Sequence, residues 1–288
     1  MDHGLLFCYG SIDLKILCLG ASFTGKFLAR NFVGKHKVAF LTRKPSVIKI
    51  QGFHAIDSNF PIDCYKPDLI LDTIPPILNH NKELLLPYEK EIEGVSSTNI
   101  QPLYLHISST SVYATEFTSK DQGELPIIDE DTPVNPQRIK GENRLKLENK
   151  IQNNYSNSRI IRAGGIYGPN RSLVNSFMDG NFSRVQAGNK LVSRIHVMDL
   201  CRLILSFSKA DLNLGTDIVN GVDTLPSANK ETFRYIETIT GIYIPGTWDL
   251  DIVTGRKVIS KYSGDLLDNK YVFPTFREGF LDCMKYKE

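Results

Sequence analysis

Lys15-Ile-Leu-Cys-Leu-Gly-Ala-Ser-Phe-Thr-Gly-Lys-Phe-Leu-Ala-Arg30 is the stretch of sequence that decides the fold of this chain. Residues 16–19 form an unbroken apolar run, which is typical of a strand buried on both faces. The run ends at Gly20, and the apolar residues that follow Phe23 fall on one face of a helix. The stretch therefore predicts a strand, a glycine turn and a helix, which is the opening unit of an α/β protein.

The glycines of this turn are spaced as in a dinucleotide-binding fingerprint. Gly20 permits a tight turn and Gly25 permits close packing of helix on strand, while Ser22 replaces the central glycine of G-x-G-x-x-G. A serine hydroxyl can still donate to a pyrophosphate at the helix N-terminus. The motif predicts cofactor contacts from Gly20, Ser22, Phe23, Thr24 and Gly25. The alternative is an ordinary strand-to-helix turn without a ligand.

The end of the second predicted strand bears on the choice of cofactor. Residues 37–42 read as that strand, and Arg43 and Lys44 follow it where an NAD-binding chain would carry an acid. Basic groups at this position accommodate the 2′-phosphate of NADP. The sequence therefore favours NADP, and NAD stays open because basic residues after a strand can also belong to a solvated loop.

Further strands and helices alternate along the first 170 residues, which predicts an α/β chain with a Rossmann-type, doubly wound parallel sheet. The remaining predicted strands span residues 53–57, with Asp57 at the carboxyl end, 67–76, 103–109 and 159–162. Helices are predicted at residues 82–93, 140–151, 198–209 and 230–240.

Three regions are expected along the chain. Residues 1–11 are an N-terminal extension, and residues 12–170 are an NAD(P)-binding Rossmann domain. Residues 171–288 form mainly a smaller C-terminal substrate lobe, with some segments that complete the Rossmann domain.

Composition restricts the class of protein. The chain has 288 residues, is 41% hydrophobic and carries a formal net charge of +2, which gives no reason to expect a nucleic acid or membrane partner. The five cysteines are scattered and lack the spacing of a metal site, so we expect reduced thiols, no metal and a cytoplasmic protein. A signal peptide and a membrane-spanning segment are also not expected.

Five motifs together resemble the extended branch of the short-chain dehydrogenase/reductase superfamily, the NAD(P)-dependent epimerase/dehydratase family. Residues 73–76 and the Phe-Thr-Gly of the first turn are similar to an atypical subgroup described as nucleoside-diphosphate-sugar epimerase-like. The five motifs are Gly20-Ala-Ser-Phe-Thr-Gly25, Ser108-Ser-Thr-Ser-Val-Tyr113, residues 136–148, Arg162-Ala-Gly-Gly-Ile-Tyr-Gly-Pro169 and Ser193-Arg-Ile-His-Val-Met-Asp-Leu200.

The resemblance implies where the catalytic groups stand. It places the catalytic hydroxyl at Ser109, and it places the Tyr and Lys of the family's Y-x-x-x-K at Lys140 and Arg144. Without the phenol the family's proton donor is missing, and an arginine is a poor base. Tyr113 and Tyr167 are candidates for a relocated phenol, although each also suits a packing role.

The resemblance also implies contacts to cofactor and substrate. Arg171, Arg194 and His196 have structural alternatives, namely salt bridges for the arginines and a buried role for the histidine. The implied cofactor residues beyond the first turn are Arg43, Lys44, Asp57, Thr73, Pro75, Ser108 and Tyr167. The implied substrate residues are Thr110, Ser111, Arg171, Arg194 and His196.

Two functions are compatible with these residues. The first is an NAD(P)-dependent oxidoreductase or epimerase acting on a sugar-nucleotide-like or other small polar substrate. The second is a catalytically degenerate NADP-binding sensor or regulator, which the missing Tyr favours. Hydrolysis through Ser109 is disfavoured because no Gly-x-Ser-x-Gly elbow surrounds it. A homodimer packed through the Lys140 helix and the one near Lys82 is implied by the resemblance.

Overall fold

A computed structural model describes residues 14–32, 35–43, 54–56, 65–90, 92, 101–115, 117–119, 123–209, 212–246, 248 and 250–285. The strands are β1 (Lys15–Leu19), β2 (Lys37–Leu41), β3 (His54–Ile56), β4 (Leu69–Asp72), β5 (Ile77–Leu78), β6 (Leu84–Leu85), β7 (Leu103–Ser109), β8 (Ile127–Ile128), β9 (Ser158–Ala163), β10 (Gly165–Tyr167), β11 (Lys190–Val192), β12 (Arg194–His196), β13 (Ile218–Gly221), β14 (Ser227–Ala228), β15 (Thr254–Gly255) and β16 (Lys257–Val258). The helices are α1 (Phe23–Asn31), α2 (Ile139–Asn154), α3 (Leu173–Met178), α4 (Val197–Phe207), α5 (Asn229–Thr240), α6 (Ser263–Leu266) and α7 (Phe276–Met284), with 3-10 turns at Thr110–Val112 and Ser183–Ala187.

The central sheet has seven parallel strands in the order β3-β2-β1-β4-β7-β9-β13. The chain enters at β1, runs outward to β3, then crosses back to β4 and continues to the other edge. The strand order therefore reverses between β1 and β4, and in open α/β sheets ligands bind over the carboxyl ends of the strands at such a point. The predicted Rossmann-type, doubly wound sheet is confirmed.

Both faces of this sheet are buried, which explains the apolar runs in the sequence. Ile16 and Cys18 point into one core with residues of α1 and α4, whereas Leu17 and Leu19 point into a second core with residues of α2. Successive side chains of a strand face opposite sides, so one run of apolar residues serves both cores.

The part of the chain beyond residue 170 contributes to two bodies. Strand β13 adds the last strand of the central sheet, and α4 packs beside α1 beneath it. A separate apolar core joins α3, α5 and α7 through Phe177, Phe233 and Phe276. The part of the chain beyond residue 170 thus adds one strand to the central sheet and also contains an apolar core of its own.

The helix predicted over residues 82–93 is wrong at its start. Leu84–Leu85 is strand β6, which pairs antiparallel with β5. Lys82 and Tyr88 have left-handed backbone angles, φ 63° and φ 62°, which a right-handed helix does not allow. The predicted N-terminal extension, residues 1–11, lies outside the described residues. Within the described residues, no helix combines the length and apolar character needed to cross a membrane.

Candidate functional site

Gly20 forms the turn that leaves β1. Its φ is +75°, and its N–H donates to the carbonyl of Leu41 at 2.8 Å. A Cβ at this position would lie 3.3 Å from the Ile74 side chain. Glycine is therefore required both by the left-handed backbone and by the close approach of the β4 loop.

Ser22 caps helix α1. Its Oγ accepts the N–H of Gly25 at 3.0 Å, and the first helical hydrogen bond is that of Lys26 N–H to the Ser22 carbonyl. Helix geometry then leaves the N–H groups of Phe23 and Thr24 without an intrahelical acceptor. The Ser22 hydroxyl proton also remains able to donate. The helix start can thus offer three donors and its dipole to an anion.

Gly25 allows α1 to lie directly on the sheet. A Cβ there would meet Phe40 at 3.3 Å and the Sγ of Cys18 at 3.4 Å. This is the helix–strand packing that the third glycine of the fingerprint predicts. Thr24 is buried in the same contact, and its carbonyl lies 3.8 Å from the Sγ of Cys201.

Around this turn lie the ends of β2 and β4. Arg43 is exposed at the end of β2, while Lys44 and Asp57 lie outside the described residues. Thr73 is half-buried and Pro75 is exposed just after β4. Arg43, Thr73 and Pro75 therefore lie at the same edge of the sheet as the glycine turn.

Arg171 comes to the same edge from the turn after β10. Its guanidinium lies over the Phe23 ring, 5.0 Å from the ring centroid, and the side chain is exposed. Gly168 in this turn also approaches the Phe23 ring. The Arg171 segment is thus brought to the start of α1.

Ser109 ends strand β7 and begins the 3-10 turn. Its Oγ accepts the N–H of Ser111 at 3.2 Å, and Ser109, Thr110 and Ser111 are all half-buried. Helix α2 rests on this turn, because a Cβ on Gly141 would clash with the Ser111 carbonyl oxygen. The start of α2 and the Ser109 hydroxyl are therefore held together at the carboxyl edge of the sheet.

Lys140 and Arg144 lie on the helix start as the resemblance implies. Lys140 is exposed, whereas Arg144 is half-buried and its Nη1 donates to the Ile107 carbonyl at 3.3 Å. Burial lowers the pKa of the Arg144 guanidinium, and the negative charges of Asp72 and Glu148 oppose that shift. Since a guanidinium keeps its proton in proteins, Arg144 is a fixed positive charge beneath the Ser109 turn.

The hydroxyl of Ser108, for which a cofactor contact is predicted, lies in a buried polar network. Ser108 is buried, and its Oγ donates to Oε1 of Glu148 at 2.5 Å. Oε2 of Glu148 also accepts a hydrogen bond from Nη2 of Arg162 at 2.8 Å. The Ser108 hydroxyl is thus committed to a buried link between α2 and the sheet.

Tyr113 belongs to the same buried network and is not available at the site. It is fully buried; its OH donates to Oδ1 of Asn220 at 3.0 Å and accepts from Nη1 of Arg162 at 3.0 Å. Burial raises the pKa of the Tyr113 phenol, and Arg162 opposes that shift only in part. The catalytic role predicted for Tyr113 stays a prediction, and in this structure its phenol is hydrogen-bonded to Asn220 and Arg162.

Tyr167 is also turned away from the glycine turn. Its ring is buried against α7, its OH donates to the Thr275 carbonyl at 3.3 Å, and a Cβ on Gly279 would collide with it. Burial raises the pKa of this phenol far above its usual range. Tyr167 packs in the C-terminal core, and its predicted roles as a cofactor contact and as a relocated phenol stay predictions.

Arg194 and His196 are structural. Arg194 is buried and its Nη1 donates to Oγ of Ser227 at 2.7 Å. Nδ1 of His196 accepts the N–H of Met198 at 3.2 Å and so caps α4, and burial lowers the pKa of the imidazole to about 3. Both side chains are buried and have partners within the protein, and the substrate contacts predicted for them stay predictions.

Some buried polar groups beneath the site could not be found from the sequence. Asp72 accepts from the Tyr104 OH at 2.9 Å and contacts Nδ1 of His106 at 2.8 Å. Arg256 is nine-tenths buried and donates to the carbonyl of Thr110. Their sequence contexts carry no motif, because the contacts join segments far apart in the chain.

Similarity to known proteins lies in the structure rather than in the sequence. No protein-family model matches the sequence, and no curated protein matches it significantly. A solved structure assigned as an NAD-dependent epimerase/dehydratase from Methylobacillus flagellatus is 21% identical, with a TM-score of 0.70 over 94% of this chain and 98% of its own. UDP-glucuronic acid 4-epimerase from Bacillus cereus, solved with NAD, is 15% identical, with a TM-score of 0.69 over 95% of this chain and 96% of its own. ADP-L-glycero-D-manno-heptose-6-epimerase from Helicobacter pylori is 16% identical, with a TM-score of 0.67 over the same shares.

This chain has the epimerase/dehydratase fold. The likeness spans nearly all of each chain, so the resemblance seen in the sequence motifs is confirmed at the level of the fold. Within that fold, Lys140 and Arg144 occupy the helix positions that the motifs assign to the family's Tyr and Lys.

Proposed function

We propose that this protein is an NAD(P)-binding epimerase or oxidoreductase of the extended short-chain type that acts on a sugar-nucleotide-like substrate. The observation that carries the proposal is the start of α1, where Gly20 is left-handed and the N–H groups of Phe23 and Thr24 lack helical acceptors. These groups fit the pyrophosphate of a dinucleotide. The structural relatives with NAD support the same class of ligand.

Gly20, Ser22 and the first turn of α1 would hold the dinucleotide phosphates. When bound, a nicotinamide dinucleotide supplies a hydride acceptor and donor. The Ser109 hydroxyl, at the same edge of the sheet, is placed to hydrogen-bond a substrate oxygen and so polarise the carbon that bears it. Arg144 supplies a fixed positive charge beneath that turn and cannot remove a proton.

Proton transfer is the open part of this chemistry. Lys140, at the position of the family's phenol, is exposed and can donate a hydrogen bond, but an amine acts as a general base only when uncharged. The phenols of Tyr113 and Tyr167 are buried and hydrogen-bonded elsewhere. The replaced Tyr and the two buried phenols favour the second candidate, a dinucleotide-binding sensor or regulator without turnover. The Ser109 hydroxyl at the carboxyl edge of the sheet favours the enzyme, because a sensor has less need of a hydroxyl that faces a substrate.

We expect the cofactor to be NADP rather than NAD. Arg43 is exposed where β2 ends, and its charge suits a 2′-phosphate. Titration of protein fluorescence should show tighter binding of NADPH than of NADH, and Arg43→Ala should reduce that preference. Arg30→Ala, an exposed arginine at the far end of α1, is the matched control. Equal affinity for NADPH and NADH in the parent would exclude the NADP assignment while leaving dinucleotide binding in place.

A further inference from the structure

Arg256 is a buried cation near the Ser109 turn without an acidic partner among the described residues. Its side chain is nine-tenths buried, and one guanidinium nitrogen donates to the Thr110 carbonyl. Its Nε is buried and has no hydrogen-bond acceptor in the same part of the chain. Burial lowers the pKa of this guanidinium to about 10, and no described carboxylate opposes that shift. The group still carries its positive charge near neutral pH.

Two further cations stand on segments that adjoin Arg256: Lys190 on β11, and Arg138 at the start of α2, which rests on the Ser111 carbonyl next to Thr110. Strand β15 pairs with β11, so that Lys190 is opposite Thr254, and the Lys190 side chain lies beside Gly255. Arg138 occupies the N-cap position of α2, two positions before Lys140; its side chain makes no capping hydrogen bond and is exposed. Burial lowers the pKa of the Lys190 amine, and the positive charges of Arg138 and Arg256 add to that effect.

These three cations are not neutralised by an ion pair in the part of the chain that the structure describes. A buried charge without a counterion is costly, so proteins usually pair it. Like charges held near one another add to the cost. An arrangement of this kind is stabilised when an anion enters it.

We propose that Arg256, Lys190 and Arg138 form an anion site that takes a carboxylate carried by the sugar of the substrate. This inference rests on the proposed function for the identity of the substrate. Arg256 contacts Thr110, the residue after Ser109, and Arg138 precedes Lys140 on the same helix start. The site therefore adjoins the reacting end of the substrate. A guanidinium with a free N–H matches the oxygens of a carboxylate.

The diphosphate of a nucleotide sugar is the other source of an anion. It is attached at the opposite end of the sugar from an oxidised terminal carbon. Two ligands that differ only at that carbon, UDP-glucuronic acid and UDP-glucose, therefore separate the two sources. Both keep the same nucleotide and diphosphate, so their affinity ratio reports the sugar carboxylate alone.

The experiment measures binding of both ligands by calorimetry to the full chain and to Arg138→Gln, Lys190→Gln and Arg256→Gln. We expect UDP-glucuronic acid to bind the parent about tenfold or more tightly than UDP-glucose, which corresponds to about 1.4 kcal/mol. Each substitution should reduce the ratio of the affinity for UDP-glucuronic acid to the affinity for UDP-glucose. Lys146→Gln, an exposed lysine on α2 away from the cluster, should leave it unchanged. Because Arg138 is exposed and Lys190 is half-buried, those variants test the site even if Arg256→Gln fails to fold.

A second test uses the free sugars glucuronate and glucose and measures how far each raises the unfolding temperature of the protein. It does not depend on whether the protein binds uridine. A parent that binds the two members of each pair equally would overturn the proposal. The proposal would also fall if Arg138→Gln and Lys190→Gln weakened UDP-glucose as much as UDP-glucuronic acid, since the anion would then be the diphosphate. NADPH titration of the same samples distinguishes these outcomes from a failure of the proposed function, because the anion site does not include the glycine turn.

Discussion

Ser108 and Ser109 are neighbours in the chain, yet their hydroxyls lie in different environments. Ser108 is bonded to buried Glu148, and Ser109 caps the 3-10 turn at the edge of the sheet. Alternation along a strand predicts that two successive side chains face opposite sides. It does not predict that the Ser108 hydroxyl donates a hydrogen bond to Glu148, forty residues later in the chain. The buried partner of Ser108 is therefore known from the structure and not from the sequence.

Buried charges show the same limit of sequence reasoning. Arg194 and His196 stand in a motif that resembles a functional one. Arg194 donates a hydrogen bond to Ser227, and His196 accepts one from the N–H of Met198. Arg256 stands in no motif. Its place beside the Thr110 carbonyl, without an ion pair among the described residues, follows from the three-dimensional fold alone. Residue type indicates what chemistry a side chain can do, whereas burial and partners decide whether it is free to do it.

Asp223 gives a pH prediction at the level of one residue. It is buried at the end of β13, Oδ1 accepts the N–H of Leu225 at 3.2 Å, and Oδ2 has no partner among the described residues. Burial raises the pKa of this carboxyl to about 8, and the charge of Arg194 opposes the shift only in part. The raised pKa means that the folded state holds a proton that the unfolded state has released above about pH 4. The stability that the neutral carboxyl contributes is present below about pH 4 and is lost as pH rises to about 8.

Asp223→Asn should remove this dependence, because the amide keeps an oxygen for Leu225 and cannot ionise. We expect the variant to be more stable than the parent at about pH 8 by at least ~1 kcal/mol, with a smaller difference at about pH 5. Urea unfolding at the two pH values measures it. Asp251→Asn, whose carboxylate is fully exposed, is the control. If the parent and Asp223→Asn changed equally in unfolding free energy between the two pH values, the pKa of the Asp223 carboxyl would not be raised.

At the scale of elements, long periodic segments were predictable and irregular ones were not. Strand β7 matches its predicted range of residues 103–109, and α2 covers and extends the predicted residues 140–151. The segment at residues 82–93 was not predictable, because left-handed turns at Lys82 and Tyr88 override its helical composition. Neither residue is a type that usually marks such a turn.

Gly141 tests how α2 is seated on the Ser109 turn. Alanine is favoured over glycine in a helix by about 1 kcal/mol, so the change would normally be stabilising. Here the added Cβ would collide with the Ser111 carbonyl. We expect Gly141→Ala to destabilise the fold by about 1–3 kcal/mol, the usual cost of overpacking. Denaturant unfolding checks this, with the exposed Lys140→Ala as control. A stabilised Gly141→Ala would mean that the helix is not held against the turn.

The replaced Y-x-x-x-K positions make a second prediction for α2. If the parent is degenerate, it should show little turnover, and Lys140→Tyr with Arg144→Lys should restore the residue types of the family one helical turn apart. General acid–base catalysis typically contributes ~10²–10⁴-fold, so a gain of that order in hydride exchange is expected. The assay is absorbance of the reduced cofactor with sugar-nucleotide substrates.

Lys140→Ala is the informative comparison for that assay. Robust activity in the parent that disappears in Lys140→Ala would make Lys140 itself the proton-transfer group. Robust activity in the parent would contradict the proposal of a sensor without turnover, whether or not Lys140→Ala abolishes that activity.

At the scale of the whole molecule, the order of motifs predicted the architecture well. The doubly wound parallel sheet is present, with its strand order reversed between β1 and β4. Seven parallel strands bring distant segments to one edge of the sheet, where Gly20, Ser109, Lys140 and Arg171 lie although no local sequence signal links them. The predicted homodimer remains a prediction, and the contact of Lys150 with the Leu84 carbonyl shows that α2 already packs on the β6 segment within one chain.

The central claim is that the glycine turn holds a dinucleotide, and one comparison of two glycines tests it most directly. Gly20 and Gly215 both have left-handed backbones, φ +75° and φ +69°, but Gly215 lies at the amino end of β13, away from the site. The left-handed backbone should make alanine cost ~1–2 kcal/mol of stability at either position. At Gly20 the added Cβ would also press on Ile74 at 3.3 Å, so unfolding of both variants is measured beside the titration. We expect NADPH titration to show binding in the parent and in Gly215→Ala, and a loss of binding in Gly20→Ala. No binding of NADPH or NADH to the parent, or equal binding to both variants, would contradict the account.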